Sequence, residues 1–381
     1  MGATGEKQAS NQPLRSGYTT GACATAAAVA AVKKCFSEDC DGPVRIIFPD
    51  QKWRDLPVAG VELFAEGAAR AWIVKDAGDD PDITHGATIE VRVKRVDADI
   101  IEDADFLIEC GNARLIVRGG SGVGMVERRA LPVPVGKWAI NPVPRHMLSE
   151  NLGLTSLPTV SRNEDWLVEI RIEDGEQLAR KTLNPVLGIV GGLSVLGTSG
   201  IVIPCSNSAY VETIRALFKG VVEAEVEPVY LVTGGRTADV IVRTCPDVPE
   251  LAIIRIGDFI RESVDMAAEY GIRRVNVVCM PGKLAKYAQG MVCTHAHKKP
   301  QSLPRVADIL AQNGLAGEVV ADCQQSRSMR EFLDKQTVSV YKSVLQILRE
   351  QALQYFRDWI KDRDIEFSLI VVDQENIVCI D

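Results

Sequence analysis

The chain has 381 residues, enough for two domains of ordinary size, each with its own core. Hydrophobic residues make up 46% and charged residues 25%, as in a folded globular protein, and no apolar run approaches the ~18 residues that a bilayer span requires. The formal charge of −8 argues against a broad nucleic-acid surface, so an anionic small molecule has to be held by local basic groups.

Residues 1–14 are polar and lack an apolar signal core, which predicts a flexible tail on a cytoplasmic protein. From Thr20, a residue suited to cap a helix, an alanine-rich pattern predicts a helix to about Phe36. Strands follow at 44–48, 72–77, 87–96, 113–118 and 166–172, with a helical run near 59–70 and no clean alternation of strand and helix. This is an α+β domain over 15–198.

The pattern changes over 199–381. Short apolar strands at 201–204, 229–233, 251–257 and 275–280 alternate with helices, notably 259–270, which predicts a parallel α/β sheet of Rossmann-like type. Helices over 303–313 and about 326–361 precede a closing strand at 365–373. The ten cysteines show no C-x-x-C spacing, which suits reduced, mostly buried thiols. Of the four histidines only His295 and His297 are close, so no metal held by the protein is expected.

Several segments contain groups able to do chemistry. The start of the first helix, at Thr19, Thr20 and Gly21, offers backbone N–H groups to an anion, or is simply a capped, tightly packed helix. "KDAGDDPDITHG" (75–86) crowds Asp76, Asp79, Asp80 and Asp82 before His85. Crowding raises carboxyl pKa values, as a general base requires, although Gly78 and Pro81 equally suit a solvated turn. "VTGGR" (232–236) follows a strand, and Asp258 ends another, where an acid can take a ribose hydroxyl pair. Neither is a G-x-G-x-x-G fingerprint, and "GKLAKYAQG" (282–290) lacks the Ser or Thr of a phosphate loop.

"RSGYTTGACATAAA" (15–28) resembles the opening signature of the CbiD family, the cobalt-precorrin-5B C1-methyltransferases of anaerobic cobalamin biosynthesis. The same family pattern appears in "KDAGDDPDITHG", "GSGVGMV" (120–126), "AINPVPRHML" (139–148), "TLNPVLGIVGGLSVLGTSGIV" (182–202), "IGDF" (256–259) and "GKLAKYAQG", so that the resemblance spans about 14–375. Where the family pattern reads Thr-Thr-Gly this chain has Thr198-Ser199-Gly200, and it runs basic at 297–299.

The resemblance implies an α+β domain followed by a Rossmann-like one. It also implies transfer of the methyl group of S-adenosyl-L-methionine to C1 of a cobalt corrinoid, with cobalt only as part of the substrate. On this reading Asp79, Asp82 and His295 are the catalytic candidates, and Gly234, Gly235 and Asp258 hold the methyl donor. Thr19, Thr20, Gly21, Arg145, Thr198, Ser199 and Lys283 contact the carboxylate-rich macrocycle. The expected partner is the small-molecule corrinoid, without nucleic acid or membrane, and a homo-oligomer is compatible with the sequence. Two rivals remain at this point: a nicotinamide-dependent corrinoid reductase, against which the missing fingerprint counts, and a non-catalytic corrinoid carrier.

Overall fold

Thirteen consecutive positions from Thr20 to Val32 are buried, and seven of them are alanine. A helix apolar on every side has to lie inside a domain, and alanine lets neighbouring backbones approach from all directions. This helix is the centre of the first of two units, Met1–Ser206 and Asn207–Asp381, into which the computed structural model divides. The structure describes residues 14–38, 40, 42–128, 132–157, 164–294, 302–361, 363–373 and 376–379.

In the first unit a short strand β1 (Gly17–Tyr18) leads into α1 (Thr20–Cys35), then β2 (Val44–Ile47), β3 (Trp53–Leu56), β4 (Gly60–Ala65), β5 (Ala68–Val74) and β6 (Thr88–Val96). There follow β7 (Phe106–Cys110), β8 (Ala113–Gly119), β9 (Gly122–Val123), β10 (Met125–Val126), α2 (Pro142–Leu152) and β11 (Glu164–Ile172). The unit ends with α3 (Gly175–Ala179), β12 (Ile189–Val190), β13 (Gly192–Leu193) and β14 (Ile201–Val202).

Its main sheet, among the described residues, has the order β4-β5-β6-β11-β8-β7. Only the β11–β8 pairing is parallel within it. Ala69, Ala71, Ile73, Ile89, Val91 and Val93 alternate onto one buried face, against which α1 packs. Intervening positions carry a chain of ion pairs across four strands, Glu62–Arg70–Glu90–Arg171–Glu169.

The run near 59–70 is not helical. It is the β4–β5 hairpin, which turns at Glu66–Gly67 with Gly67 at φ 69°. The helix preference of its alanines is overridden because the sheet beside α1 needs small side chains.

The second unit runs α4 (Asn207–Glu223), β15 (Val229–Val232), α5 (Gly235–Thr244), β16 (Ile253–Arg255), α6 (Ile260–Glu269), β17 (Arg274–Cys279) and α7 (Pro281–Tyr287). It continues through α8 (Leu303–Gln312), α9 (Gly317–Gln325), α10 (Met329–Asp334), α11 (Val338–Ile360), β18 (Glu366–Asp373) and β19 (Asn376–Cys379). The sheet order is β16-β15-β17-β18-β19, parallel except for β19. Val232, Val278, Ile370 and Val372 pack with α5, while Leu231, Val277, Leu369 and Val371 are equally buried, as in a parallel sheet covered on both faces.

Two expectations shift here. Strand 201–202 belongs to the first unit, because β14 pairs with β1 and the Cys205 N–H donates to Asp80 at 2.9 Å. The strand at 366–373 is not the last, since β19 folds back beside it.

Candidate functional site

At the start of α1 the cap is Thr19, not Thr20: Thr19 Oγ1 accepts from the Ala22 N–H at 3.2 Å. Thr20 is the first helical residue, and its hydroxyl exchanges hydrogen bonds with the N–H and carbonyl of Leu196. The Gly21 N–H donates to Leu196 O at 3.1 Å, and the Thr19 N–H to Gly200 O at 3.0 Å. The Thr19 and Gly21 N–H groups and the Thr20 hydroxyl are thus taken up by the 196–200 loop, and all three residues are buried. A Cβ on Gly21 would stand 2.7 Å from Pro144 Cγ, so α1, α2 and this loop meet at a point where only glycine fits. Thr198 and Ser199 are exposed on the same loop, and the Ser199 hydroxyl bonds Ile201 across a tight turn.

The acidic block lies against this corner. Ser16 bridges Gly78, and the Arg15 guanidinium grips Asp76 at 2.5 and 3.0 Å, holding its carboxyl down at about 2. Asp79 is exposed and accepts the Arg15 backbone N–H at 2.6 Å. Asp82 is paired with Lys75, whose side chain is only 1% exposed, and accepts Thr84 N–H at 2.7 Å and Thr84 Oγ1–H at 2.6 Å. Burial alone would raise the Asp82 pKa, but the Lys75 ammonium and the Thr84 donors outweigh it, and the carboxyl lies below its ordinary value. For Asp76 and Asp82 the expectation of raised carboxyls is therefore corrected: each has its own donors. Asp82 is a fixed anion, ill suited to take a proton near neutral pH.

Arg145 sits in the first turn of α2, next to Pro144, but its guanidinium turns to the Phe106 ring, 4.0 Å from the centroid, and donates to Ile140 O at 3.1 Å. Burial lowers its pKa, and no carboxylate among the described residues pairs with it. Such a half-buried guanidinium is a ready partner for a ligand carboxylate.

In the second unit the carboxyl ends of three parallel strands bring 233–235, 256–258 and 280–283 together. Chain order reverses between β15 and β17, the position at which open α/β sheets bind ligands. Gly234 caps α5 there and Gly235 is its first residue, and a Cβ built on either meets nothing within 4 Å. Asp258 follows β16, and Lys283, in α7, forms an ion pair with it. Thr294, 1% exposed, accepts from Lys283 Nζ at 2.7 Å and donates to Asp258 Oδ1 at 2.9 Å. Lys286 is buried and donates to Thr294 O at 2.8 Å; burial, helped by the charge of Lys283, lowers its pKa.

The first unit thus brings together Thr19–Gly21, Thr198–Ser199 and the Asp76–Asp82 block, with Arg145 turned aside to Phe106. The second unites Gly234, Gly235, Asp258 and Lys283. His295 lies outside the described residues. Arg15 and Lys75 were not singled out from sequence, although each falls within a motif quoted above, and Thr294 follows "GKLAKYAQG" by four positions. Among the described residues no three His, Cys, Asp or Glu side chains are grouped to hold a metal, and no helix is long and apolar enough to cross a membrane.

Comparison with known proteins gives a consistent result. A cobalt-precorrin-5B C(1)-methyltransferase of Priestia megaterium is 36% identical over 88% of this chain and 88% of its own length. Proteins of the same name from Geobacillus sp. (strain WCH70), 38% identical over 83% of this chain and 82% of its own, and from Paramagnetospirillum magneticum, 35% over 97% and 98%, are similar as well. A 1.9 Å crystal structure of a cobalamin biosynthesis protein (cbiD) from Archaeoglobus fulgidus matches with a TM-score of 0.38 at 25% identity, covering 72% of this chain and 80% of that one. The CbiD family profile matches residues 7–204, and with relatives of this identity along nearly the whole length the chain belongs to the CbiD family.

Proposed function

We propose that this protein is a cobalt-precorrin-5B C1-methyltransferase of cobalamin biosynthesis. The observation that carries the reading is the 36% identity over 88% of both chains with the Priestia megaterium enzyme of that name. S-adenosyl-L-methionine is the proposed donor; it supplies an activated methyl group for an in-line displacement, which asks the protein mainly to align the reactants and exclude water.

We place the donor at the carboxyl edge of the second unit, read as a Rossmann-like layer. The residues there fit an adenosine: the open space over Gly234 and Gly235 admits a ligand close to the backbone, and Asp258 offers a carboxylate for a ribose diol. Arg145, with its desolvated and acid-free guanidinium, is the proposed contact for a macrocycle carboxylate, and the exposed hydroxyls of Thr198 and Ser199 are further contacts. Asp79, which no cation pairs among the described residues, is a better acid–base candidate than Asp82; His295 is retained as a second one.

The test is anaerobic incubation with methyl-labelled S-adenosyl-L-methionine and cobalt-precorrin-5B, followed by mass spectrometry. One labelled methyl at C1 is expected. A bound corrinoid that gains no methyl would sink the reading in favour of a carrier, and saturable binding of a nicotinamide cofactor would favour a reductase.

A further inference from the structure

Lysines near a proposed anion site are usually read as ligand contacts, and Lys283 invites that reading. Its surroundings argue otherwise. An ammonium has three N–H bonds. Those of Lys283 have three acceptors already: Asp258 Oδ1, Thr294 Oγ1 at 2.7 Å and Gly257 O at 3.4 Å. A ligand carboxylate would have to break one of these contacts inside a site where the lysine side chain is 25% exposed.

The loop carrying Asp258 is clamped from several elements. Tyr210 of α4 donates to Arg255 O at 3.2 Å, Lys283 of α7 reaches Gly257 O, and the Thr294 N–H donates to Asp258 O at 3.3 Å. Gly257 has φ 56°, and its missing Cβ would lie 3.3 Å from the Tyr210 hydroxyl oxygen. Thr294 is itself fixed through all three of its polar groups, because its carbonyl accepts from buried Lys286. Two donors, an ammonium and a hydroxyl, therefore converge on one oxygen of Asp258 and set the plane of its carboxylate.

We infer that Lys283 and Thr294 are positioning residues for the methyl donor, which hold Asp258 in the orientation that receives the ribose hydroxyls, and that Lys283 is not a contact for a corrinoid carboxylate. The inference rests on placing the donor at this sheet edge. Rigid support of this kind decides affinity because a carboxylate free to rotate does not hold an oxygen in a fixed position towards the ribose.

Thr294→Val keeps the shape of the side chain and removes the hydroxyl, and Lys283→Met keeps most of the stem and removes the charge. Each is expected to weaken S-adenosylhomocysteine binding in calorimetry about tenfold, as loss of one charge-assisted hydrogen bond does. The donor KM should rise in parallel, with the corrinoid KM unchanged and Thr294→Ser close to the parent. A rise in corrinoid KM alone on Lys283→Met would overturn the inference and return Lys283 to the substrate. Asp258→Asn separates the two levels of the argument. If it leaves S-adenosylhomocysteine affinity intact, the donor site itself is misplaced. If it weakens binding while Thr294→Val and Lys283→Met do not, only the positioning role fails. Should Lys283→Met not fold, the contrast between Thr294→Val and Thr294→Ser decides alone.

Discussion

Replacing Lys75 by Met tests the account of the acidic block. Met keeps most of the buried stem and removes the ammonium, leaving Asp82 desolvated without its cation. A unit-charge pair ~4 Å apart interacts by about 4 kcal/mol at an effective dielectric of ~20. Breaking such a buried pair from one side costs ~3–5 kcal/mol. Asp82 keeps its two Thr84 donors and is 24% exposed, so the lower end, about 3 kcal/mol, is expected.

Trp53, Trp72, Trp138 and Trp166 lie in the first unit, against Trp359 in the second, so tryptophan fluorescence follows mainly the unit that carries the change. Its melting midpoint should fall by roughly 6–12 °C. The sign with pH is fixed by the direction of the shifts. In the parent the folded Asp82 pKa lies below the unfolded value of ~3.9, so its stabilisation is present above that pH and is lost as pH falls through the folded pKa. In Lys75→Met burial without the cation raises the folded pKa, so the carboxylate destabilises above it. The gap between the two proteins is widest near pH 7, narrows towards pH 4 as the variant's penalty is relieved, and closes only as pH falls through the lower folded pKa of the parent. A loss under ~1 kcal/mol, or one that does not shrink with acid, would refute the argument.

Other substitutions separate binding from folding. Gly235→Ala adds a Cβ that meets nothing and improves a helical position, so stability should hold or rise by up to ~1 kcal/mol while calorimetry shows weaker donor binding. Arg145→Met removes a desolvated charge and one cation–π contact of ~0.5–1 kcal/mol, and is expected to raise the corrinoid KM about tenfold at nearly unchanged Tm. Gly21→Ala, despite the helix preference of alanine, should cost ~1–3 kcal/mol by urea denaturation, because the new methyl runs into Pro144 and the Leu196 carbonyl.

What could be read from sequence was local and periodic. The alternation of Thr88–Val96 and the strand and helix runs around Val229, Ile260 and Arg274 appear where their patterns put them. Alanine misled at 68–71, since a small side chain serves a helix and a strand facing a crowded helix equally well. The ion pairs were less legible for a different reason. Lys75 and Asp82 are seven positions apart, but Arg15 and Asp76 are separated by 61, and Lys283 and Asp258 by 25. Their partnership is made by the sheet and not by spacing. From sequence, Asp258 and Lys283 belonged to two different ligands; their shared ion pair emerges only once β16 and β17 lie one strand apart.

The junction of α1 with the 196–202 segment also bears on the order in which the chain can be completed. Thr20 meets Leu196 across 176 positions, and β1 closes on β14. During synthesis the most apolar helix of the first unit therefore emerges well before the loop that receives its amino end and the strand that fastens the segment before it. Until then the amino end of α1 stands without the loop that covers it, and a nascent chain released short of Leu196 lacks the contacts that fasten that end.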